Sequence, residues 1–123
     1  MIGCMEEHDR PQLDVARSEH DGVQLVELTG ELDLDSIAEL EMALAAASAG
    51  PAPRVCLDLT RLVFIDSSGL AAVVRAHVAT AEAGGALIVV AAAGTVRRTL
   101  ETSGLMVMLS VVDDRAAALA DLA

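Results

Sequence analysis

The sequence has almost no aromatic residues, with one Phe and neither Trp nor Tyr among its 123 positions. Hydrophobic residues still make up 54% of the chain, so its core must consist of Leu, Val, Ile, Met and Ala. Side chains of this size stabilise a fold only when several layers of secondary structure pack together. The length suits one domain with a modest core. We therefore expect a single domain at residues 12–122, preceded by a flexible, unpatterned tail at residues 1–11.

Long apolar runs are also missing. The longest uninterrupted run is Ala86–Ala93, with eight residues, whereas a helix that spans a membrane needs roughly 20. The first eleven residues, MIGCMEEHDRP, contain two glutamates and lack the basic segment that opens a secretory signal. These features predict a soluble cytoplasmic protein that has no membrane partner.

Lysine is absent, and the eight basic residues, all Arg, stand against 19 acidic ones, so the formal net charge is −11. Proteins that bind nucleic acids neutralise phosphates with Lys and Arg, and this balance therefore argues against a nucleic-acid partner. An acidic surface instead favours solubility and a protein partner that carries some basic charge.

Cysteine is scarce as well. Cys4 and Cys56 are too few and too far apart for a disulfide framework or a zinc motif. Cys4, His8 and Asp9 are close in the chain, but one flexible run is not a preformed metal site. A glycine-rich phosphate-binding loop is also missing. We expect neither a metal nor a cofactor.

The spacing of apolar residues predicts the element order β-β-α-β-α-β-α-β-α. A turn at His20-Asp21-Gly22 joins the first two strands into an antiparallel hairpin. The alternation that follows predicts right-handed crossovers. The fold class is therefore α/β, with a mixed, mostly parallel sheet of about five strands and about four helices. The predicted strands are Leu13–Glu19, Val23–Thr29, Arg54–Thr60, Ala86–Ala93 and Leu105–Val112.

The four helices are predicted from apolar periodicity and from capping residues. Ser36 and Glu39 form a capping box before the first helix. Thr95 is suited to cap the third helix, and Asp113 or Asp114 the last. The second helix has the clearest apolar face. That face consists of Leu70, Val73, Val74, His77, Val78 and Ala81.

The stretch FIDSSGL, residues 64–70, lies between a predicted strand and the second helix. Ser67 or Ser68 is a suitable N-cap, and Asp66 is favourable near a helix N-terminus. Because one helix needs one cap, the second hydroxyl is left to point outward. Three interpretations remain: plain capping chemistry, a catalytic nucleophile, or a hydroxyl presented to another enzyme for modification.

A serine hydrolase is disfavoured. Its nucleophile follows the pattern G-x-S-x-G, but Ile65 occupies the position of the first glycine before Ser67. The required histidine base is also missing nearby. His77 lies ten residues further along the same predicted helix, about 15 Å away at 1.5 Å per residue. We therefore predict that the protein is not an enzyme.

Modification by phosphate has a physical basis at this junction. A helix N-terminus stabilises a phosphate group through its free N–H groups and its dipole. Phosphorylation would add about −1.5 to −2 charges beside Asp66, which repels them. The acidic segment Gly30–Asp35 is open to two interpretations, a solvated turn or a recognition edge.

Three stretches of the chain resemble the STAS domain family, and within it the free-standing bacterial anti-anti-sigma factors. They are LTGELDLDS at residues 28–36, VCLDLTRLVFIDSSGL at residues 55–70 and ALIVVAA at residues 86–92. The resemblance covers residues 12–122 and implies a STAS fold. It also implies a role in transcription regulation, as in a stress response or in sporulation.

The resemblance implies specific roles for residues and partners. Ser67 would be the phosphoacceptor, Asp66 would hold the local geometry, and Ser68 would help to cap the helix. The partners would be an anti-sigma factor with a GHKL-type serine kinase domain and a PP2C-type phosphatase. The unphosphorylated protein would bind the anti-sigma factor and free the sigma factor. The alternative is a STAS scaffold or a module that senses a small ligand or nucleotide. The implied phosphosite includes Gly69, and the implied partner surface consists of Gly30, Glu31, Asp33, Ser67 and Leu70.

Overall fold

The structure, a computed structural model, describes residues 12–123. The predicted flexible tail at residues 1–11, and with it Cys4, His8 and Asp9, lies outside the described residues.

Five strands form one sheet in the order β1-β2-β3-β4-β5. β1 and β2 form the predicted antiparallel hairpin, and the remaining neighbours are parallel. Asp21 and Gly22 both have positive φ angles, 53° and 84°, as a two-residue hairpin turn requires. The predicted α/β class is confirmed. The strands are β1 (Leu13–His20), β2 (Val23–Leu32), β3 (Arg54–Ile65), β4 (Ala86–Val90) and β5 (Ser110–Val112).

Four helices cover the sheet unequally. The larger core cluster lies between one face of the sheet and the first three helices, and it includes Leu40, Val73 and Val96. A smaller cluster, with Cys56 and Ala118, lies under the last helix on the other face. None of the helices in residues 12–123 has the length and apolarity needed to cross a bilayer. The helices are α1 (Ile37–Ala47), α2 (Ser67–Glu82), α3 (Thr95–Thr102) and α4 (Arg115–Leu122).

β2 and β3 continue beyond their predicted ends, Thr29 and Thr60, and reach Leu32 and Ile65. Their pairing shifts register once between Glu27 and Thr29 and again just after Gly30. Each shift is a β-bulge that inserts an extra β3 residue and so interrupts the period of two. The alternation in the sequence therefore ends earlier than the strands do.

The prediction of one strand over Leu105–Val112 is wrong. Leu105–Val107 forms a 3₁₀ turn, and only Ser110–Val112 pairs with β4. β4 also ends at Val90 rather than at the predicted Ala93. An apolar run without a clear period does not distinguish a strand from a compact turn.

The core-facing side of α2 matches the predicted face only in part: Val73 is buried, and Leu70 and Val74 pack against the core cluster, as predicted. The buried residues of α2 are Gly69, Ala72, Val73 and Thr80, whereas Val78 is 43% exposed. Small side chains let a helix approach a sheet closely, so the innermost face is not the one with the largest apolar residues.

The predicted caps have mixed outcomes. Asp114 caps α4, because its carboxylate accepts a hydrogen bond from the N–H of Ala117 at 2.8 Å. Thr95 lies inside α3, and Gly94 occupies the N-cap position instead. The capping box at Ser36 is wrong, since the Ser36 side chain makes no cap hydrogen bond to α1.

An ion cluster fastens α4 to the sheet. Arg115 of α4 donates to Asp58 of β3 at 2.9 and 3.0 Å and to Glu27 of β2 at 2.6 Å. Thr60 donates to the second oxygen of Asp58 through its N–H and its hydroxyl. Asp58 is 3% exposed, so these donors replace the water that the carboxylate loses on folding.

Candidate functional site

Two connections lie side by side at one end of the sheet, the loop from β2 to α1 and the junction from β3 to α2. Leu32 and Ile65 are paired at the ends of the parallel strands β2 and β3. The N–H of Asp66 donates to the carbonyl of Leu32 at 3.2 Å, which joins the two connections directly. The structure therefore brings the segment after Leu32, with Asp33, next to Asp66 and Ser67.

Asp66 is the N-cap of α2. Its backbone is extended, with φ −103° and ψ −175°, and its Oδ1 accepts the N–H of Gly69 at 2.9 Å. The Asp66 carbonyl accepts the first helical bond, from the N–H of Leu70. The prediction that Ser67 or Ser68 caps the helix is therefore wrong. Aspartate is among the best N-caps, because its carboxylate accepts a first-turn N–H and its negative charge is attracted to the positive end of the helix dipole.

Ser67 is the first residue of α2 and is exposed, whereas Ser68 is half-buried. Within residues 12–123, the Ser67 hydroxyl takes part in no side-chain hydrogen bond, since Asp66 already supplies the cap. The N–H groups of Ser67 and Ser68 belong to the first turn and have no acceptor inside the helix. An exposed hydroxyl thus stands beside two free N–H donors.

Gly69 is required by close packing. A Cβ at this position would lie 2.8 Å from Cγ1 of Ile65 and 2.9 Å from both Cγ and the carbonyl oxygen of Leu32. The glycine therefore lets the first turn of α2 rest on the ends of β2 and β3. This contact fixes where Ser67 stands relative to the neighbouring loop.

We expect Gly69→Ala to destabilise the protein. Helix propensity alone would make the change favourable by about 0.5–1 kcal/mol, but the overpacking costs typically about 1–3 kcal/mol. Urea denaturation should show a net loss of about 1–2 kcal/mol. The control is Ser68→Ala, one position earlier, which should stay within about 0.5 kcal/mol of wild type. A gain in stability for Gly69→Ala would show that Leu32 and Ile65 move aside freely.

Ser36 holds the loop from β2 to α1. It is 1% exposed, its hydroxyl donates to the carbonyl of Glu31 at 3.0 Å, and its Oγ accepts the N–H of Asp33 at 3.0 Å. The Asp33 carboxylate is half-buried and accepts the N–H of Asp35 at 3.0 Å. The loop is thus ordered by its own hydrogen bonds, a role of Ser36 that the sequence analysis missed.

Gly30 and Glu31 lie in β2 rather than in a loop, contrary to the prediction for Gly30–Asp35. Gly30 has φ +110°, and a Cβ there would lie 2.3 Å from the carbonyl oxygen of Gln12. Its structural role is therefore to let the backbone of Gln12 approach β2, where the Gln12 carbonyl accepts the N–H of Glu31. Glu31 and Ser67 are exposed, and Leu70 is half-buried on the first turn of α2.

Three exposed apolar residues near this end of the sheet were not singled out by the sequence analysis. They are Leu34, 72% exposed, Val63, 65% exposed, and Phe64, 46% exposed. The only available signal was that Phe64 is the single aromatic residue of the chain. Periodicity assigned neither Val63 nor Phe64 to a face, because the second bulge lies at Val63.

Other reactive groups do not join this site. Burial, with a smaller contribution from the charge of Asp58, raises the pKa of the Cys56 thiol to about 11, so the thiolate is not available at neutral pH. His77 lies ten residues beyond Ser67 on α2, and its Nδ1 is buried without a hydrogen-bond partner in the described part of the chain. Among residues 12–123, no three His, Cys, Asp or Glu side chains come together as metal ligands would.

Comparisons with known proteins agree with this arrangement. A family profile described as "Mlab, STAS domain" matches residues 15–111. The anti-sigma F factor antagonist of Paenibacillus polymyxa is 31% identical over 111 residues, which cover 89% of this chain and 95% of that protein. A crystal structure of an anti-sigma factor antagonist from Mycobacterium paratuberculosis is 27% identical, with a TM-score of 0.83 over 92% of this chain and 97% of that one.

The fold also matches SpoIIAA of Bacillus in its phosphorylated form, with 21% identity and a TM-score of 0.65. That match covers 88% of this chain and 97% of SpoIIAA. The five-stranded mixed sheet with its opening hairpin is thus the fold that the resemblance implied. The names of these relatives describe antagonists of a regulatory protein rather than enzymes, which agrees with the prediction that this chain is not an enzyme.

Proposed function

Because this chain belongs to the STAS domain family, we propose that it is an anti-sigma factor antagonist that phosphorylation of Ser67 controls. The unphosphorylated protein binds an anti-sigma factor that has a GHKL-type serine kinase domain, and the bound sigma factor is released. Phosphorylation by that kinase ends the binding, and a PP2C-type phosphatase restores it. The proposed location of this cycle is the bacterial cytoplasm.

The observation that carries this proposal is the exposed hydroxyl of Ser67 at the start of α2, next to an Asp66 that already caps the helix. A kinase needs a hydroxyl that it can reach and that the fold does not use. Since Ser67 contributes no side-chain hydrogen bond among the described residues, its modification leaves the fold intact. The switch is therefore a change of surface, read out as binding.

A phosphate on Ser67 would meet opposing influences. The free N–H groups of Ser67 and Ser68 and the dipole of α2 favour a dianion at this position. The carboxylate of Asp66 and the neighbouring Asp33 disfavour it, because like charges repel. The phosphorylated state is therefore tolerated but not strongly held, which suits a modification that a phosphatase must remove.

Charge alone does not explain why phosphorylation would end binding. The protein already has a net charge of −11, so its partner is expected to present basic residues. Extra negative charge would attract such a partner from a distance. Binding is lost because the Ser67 hydroxyl lies inside the interface. A phosphate dianion there would lose its hydration shell and would not fit between the two protein surfaces. The proposal thus places Ser67 within the interface rather than at its rim.

Release of the sigma factor tests this function. Each anti-sigma factor kinase of the same genome is purified with its sigma factor, and the full-length protein is added without ATP. One pair should dissociate, with the antagonist and the anti-sigma factor co-eluting in gel filtration and the sigma factor eluting alone. If every pair stays intact at an excess of the protein, the proposed function is wrong.

A further inference from the structure

β3 extends well beyond its neighbour β4. The last pair between these strands is Asp58 with Val90, so β2 is the only described strand beside Leu59–Ile65. We call residues 28–32 of β2 and 59–65 of β3 the ribbon. One face of the ribbon is packed on the helices and contributes Leu62 and Ile65 to the large core cluster. The other face is its outer face.

Among residues 12–123, no helix or strand covers the outer face of the ribbon. α4 covers this side of the sheet around Cys56 and Ile88, and its Arg115 contacts Glu27 and Asp58, all of which lie before the ribbon begins. The bulge after Gly30 inserts Val63 into β3, so that Val63 and Phe64 are both exposed, at 65% and 46%. The remaining exposed residues of this face are Thr29, Glu31, Thr60 and Arg61.

An exposed Phe is unexpected in this particular chain. It is the single aromatic residue, while the core is built entirely from smaller side chains. One exposed apolar residue would be ordinary. A Phe beside an exposed Val, three residues before an exposed Ser67, forms a contiguous apolar patch at the functional end of the sheet. Buried aromatic anchors of this kind carry much of the binding energy of protein interfaces.

We propose that the outer face of the ribbon is a docking surface for the anti-sigma factor kinase, which receives Phe64 in an apolar pocket rimmed by Lys or Arg. This inference rests on the proposed function and adds to it the surface by which the partner is recognised. Val63 completes the apolar contact, and Ser67 lies at the neighbouring edge, where the kinase acts.

The distance between Phe64 and Ser67 suits a single interface. Three Cα–Cα steps of about 3.8 Å separate them by at most roughly 11 Å. A protein interface of standard size covers about 800 Å² on each partner, which corresponds to a disc about 16 Å in radius. A single interface of standard size that is centred on Ser67 therefore also includes Phe64.

The charges around the patch select the partner. Glu31 is paired with Phe64 across the ribbon, and Asp33 and Asp35 follow it in the adjacent loop. Among the residues of the ribbon, 28–32 and 59–65, the only cation is Arg61, which lies 3.9 Å from Glu27. A second copy of this chain would bring the same acids against these, and like charges across an interface are unfavourable. A basic partner gains from them instead.

Two matched pairs of variants test the docking surface. Phe64→Ala is compared with Met108→Ala, since both residues are large, apolar and about half exposed, at 46% and 51%. Val63→Thr is compared with Val107→Thr, a substitution that keeps the shape of the side chain at two exposed sites. Val107 and Met108 precede β5, which is separated from β3 by β4 and whose first residue, Ser110, is level with Ile88 and Cys56, before the ribbon begins.

Binding to the anti-sigma factor kinase is measured by isothermal titration calorimetry without ATP, using the kinase identified by sigma-factor release. Phe64→Ala should raise the dissociation constant about 30-fold, which is the effect of removing a hot-spot residue. Val63→Thr should raise the dissociation constant about threefold to tenfold, which corresponds to a loss of binding free energy of up to about 1.4 kcal/mol. Met108→Ala and Val107→Thr should bind as the wild type does.

The outcomes separate this inference from the proposed function. If the wild type binds no such kinase, the proposed function itself fails. If the wild type binds and Phe64→Ala binds equally well, with an unchanged melting temperature, the docking surface is wrong and the function stands. If the wild type is a dimer by analytical ultracentrifugation and Phe64→Ala is a monomer, the face belongs to a second copy, which overturns the inference.

Discussion

Replacing Ser67 by glutamate is expected to weaken binding to the anti-sigma factor about 100-fold, whereas Ser67→Ala should bind as tightly as the wild type. Alanine removes a hydroxyl that the fold does not use, and it leaves the interface uncharged. Glutamate introduces a carboxylate where Asp66 and Asp33 already repel it, and where binding would strip away its water. A full phosphate should cost about 3–4 kcal/mol, which is a roughly 150- to 800-fold loss of affinity.

The measurement is the dissociation constant of each variant for the anti-sigma factor in the absence of ATP. Ser18→Glu is the matched control, because Ser18 is exposed on the edge strand β1 and receives the same added charge. It should change the affinity less than about threefold, the scale of a charge at the rim. Equal binding by Ser67→Ala and Ser67→Glu would show that position 67 is not the switch.

The second large effect is expected in stability, from Arg115→Met. This variant leaves the Asp58 carboxylate, 3% exposed, without the cation that faces it. Removing one partner of a buried ion pair costs about 3–5 kcal/mol, and because the Arg115 side chain is 39% exposed, we expect about 2–4 kcal/mol at pH 7. Chemical denaturation monitored by circular dichroism checks this value.

The effect should depend on pH in a defined direction. Burial alone would raise the pKa of Asp58, but hydrogen bonds from Thr60 and Arg115 and the charge of Arg115 lower it below 3.8 overall. The ionised pair therefore contributes stability above pH 4, and this contribution is lost as the pH falls through the lowered pKa. In Arg115→Met the pKa of Asp58 rises, and protonation removes the unpaired charge. The difference between variant and wild type should therefore shrink from pH 7 to pH 3.

Arg75→Met is the matched control for this prediction. Arg75 of α2 pairs with Glu41 of α1 at 3.0 Å, but both side chains are more than half exposed. An exposed pair of this kind contributes about 0–1 kcal/mol. If Arg115→Met cost no more than Arg75→Met at pH 7, the cluster of Arg115, Asp58 and Glu27 would not be what fastens α4 to the sheet.

The sequence predicted the architecture well where local chemistry and periodicity agree. The Asp21-Gly22 turn specifies the hairpin, since both residues accept a positive φ angle. The strand Arg54–Thr60 was predicted from the alternation of its apolar residues, and Ala86–Ala93 from its continuous apolar run. Their far ends were not predicted correctly, because bulges and turns depend on neighbouring strands rather than on the local sequence.

The site was only partly predictable for a similar reason. The motif around Ser67 was found from its residues, but which of Asp66, Ser67 and Ser68 caps the helix depends on the backbone angles at the end of β3. Ser36 was predicted to cap a helix through its side chain, but its hydroxyl instead donates a hydrogen bond to the carbonyl of Glu31 in β2. These outcomes are set by contacts between segments that are distant in sequence.

The outer face of the ribbon was beyond the reach of sequence patterns altogether. Val63 and Phe64 belong to the apolar run 62–65, which has no period that would assign them to a face. Their exposure follows from the bulge at Val63 and from the short β4, which ends level with Asp58. Only the register of three strands together shows that no helix in residues 12–123 covers these two side chains.

Mapping the phosphate tests the central claim most directly. The full-length protein is incubated with ATP and the anti-sigma factor kinase that it binds, and the product is analysed by tandem mass spectrometry. We expect one phosphate, on Ser67, in the wild type and in Ser68→Ala, and none in Ser67→Ala. Phosphate on Ser68 alone, or phosphorylation that persists in Ser67→Ala, would contradict the account.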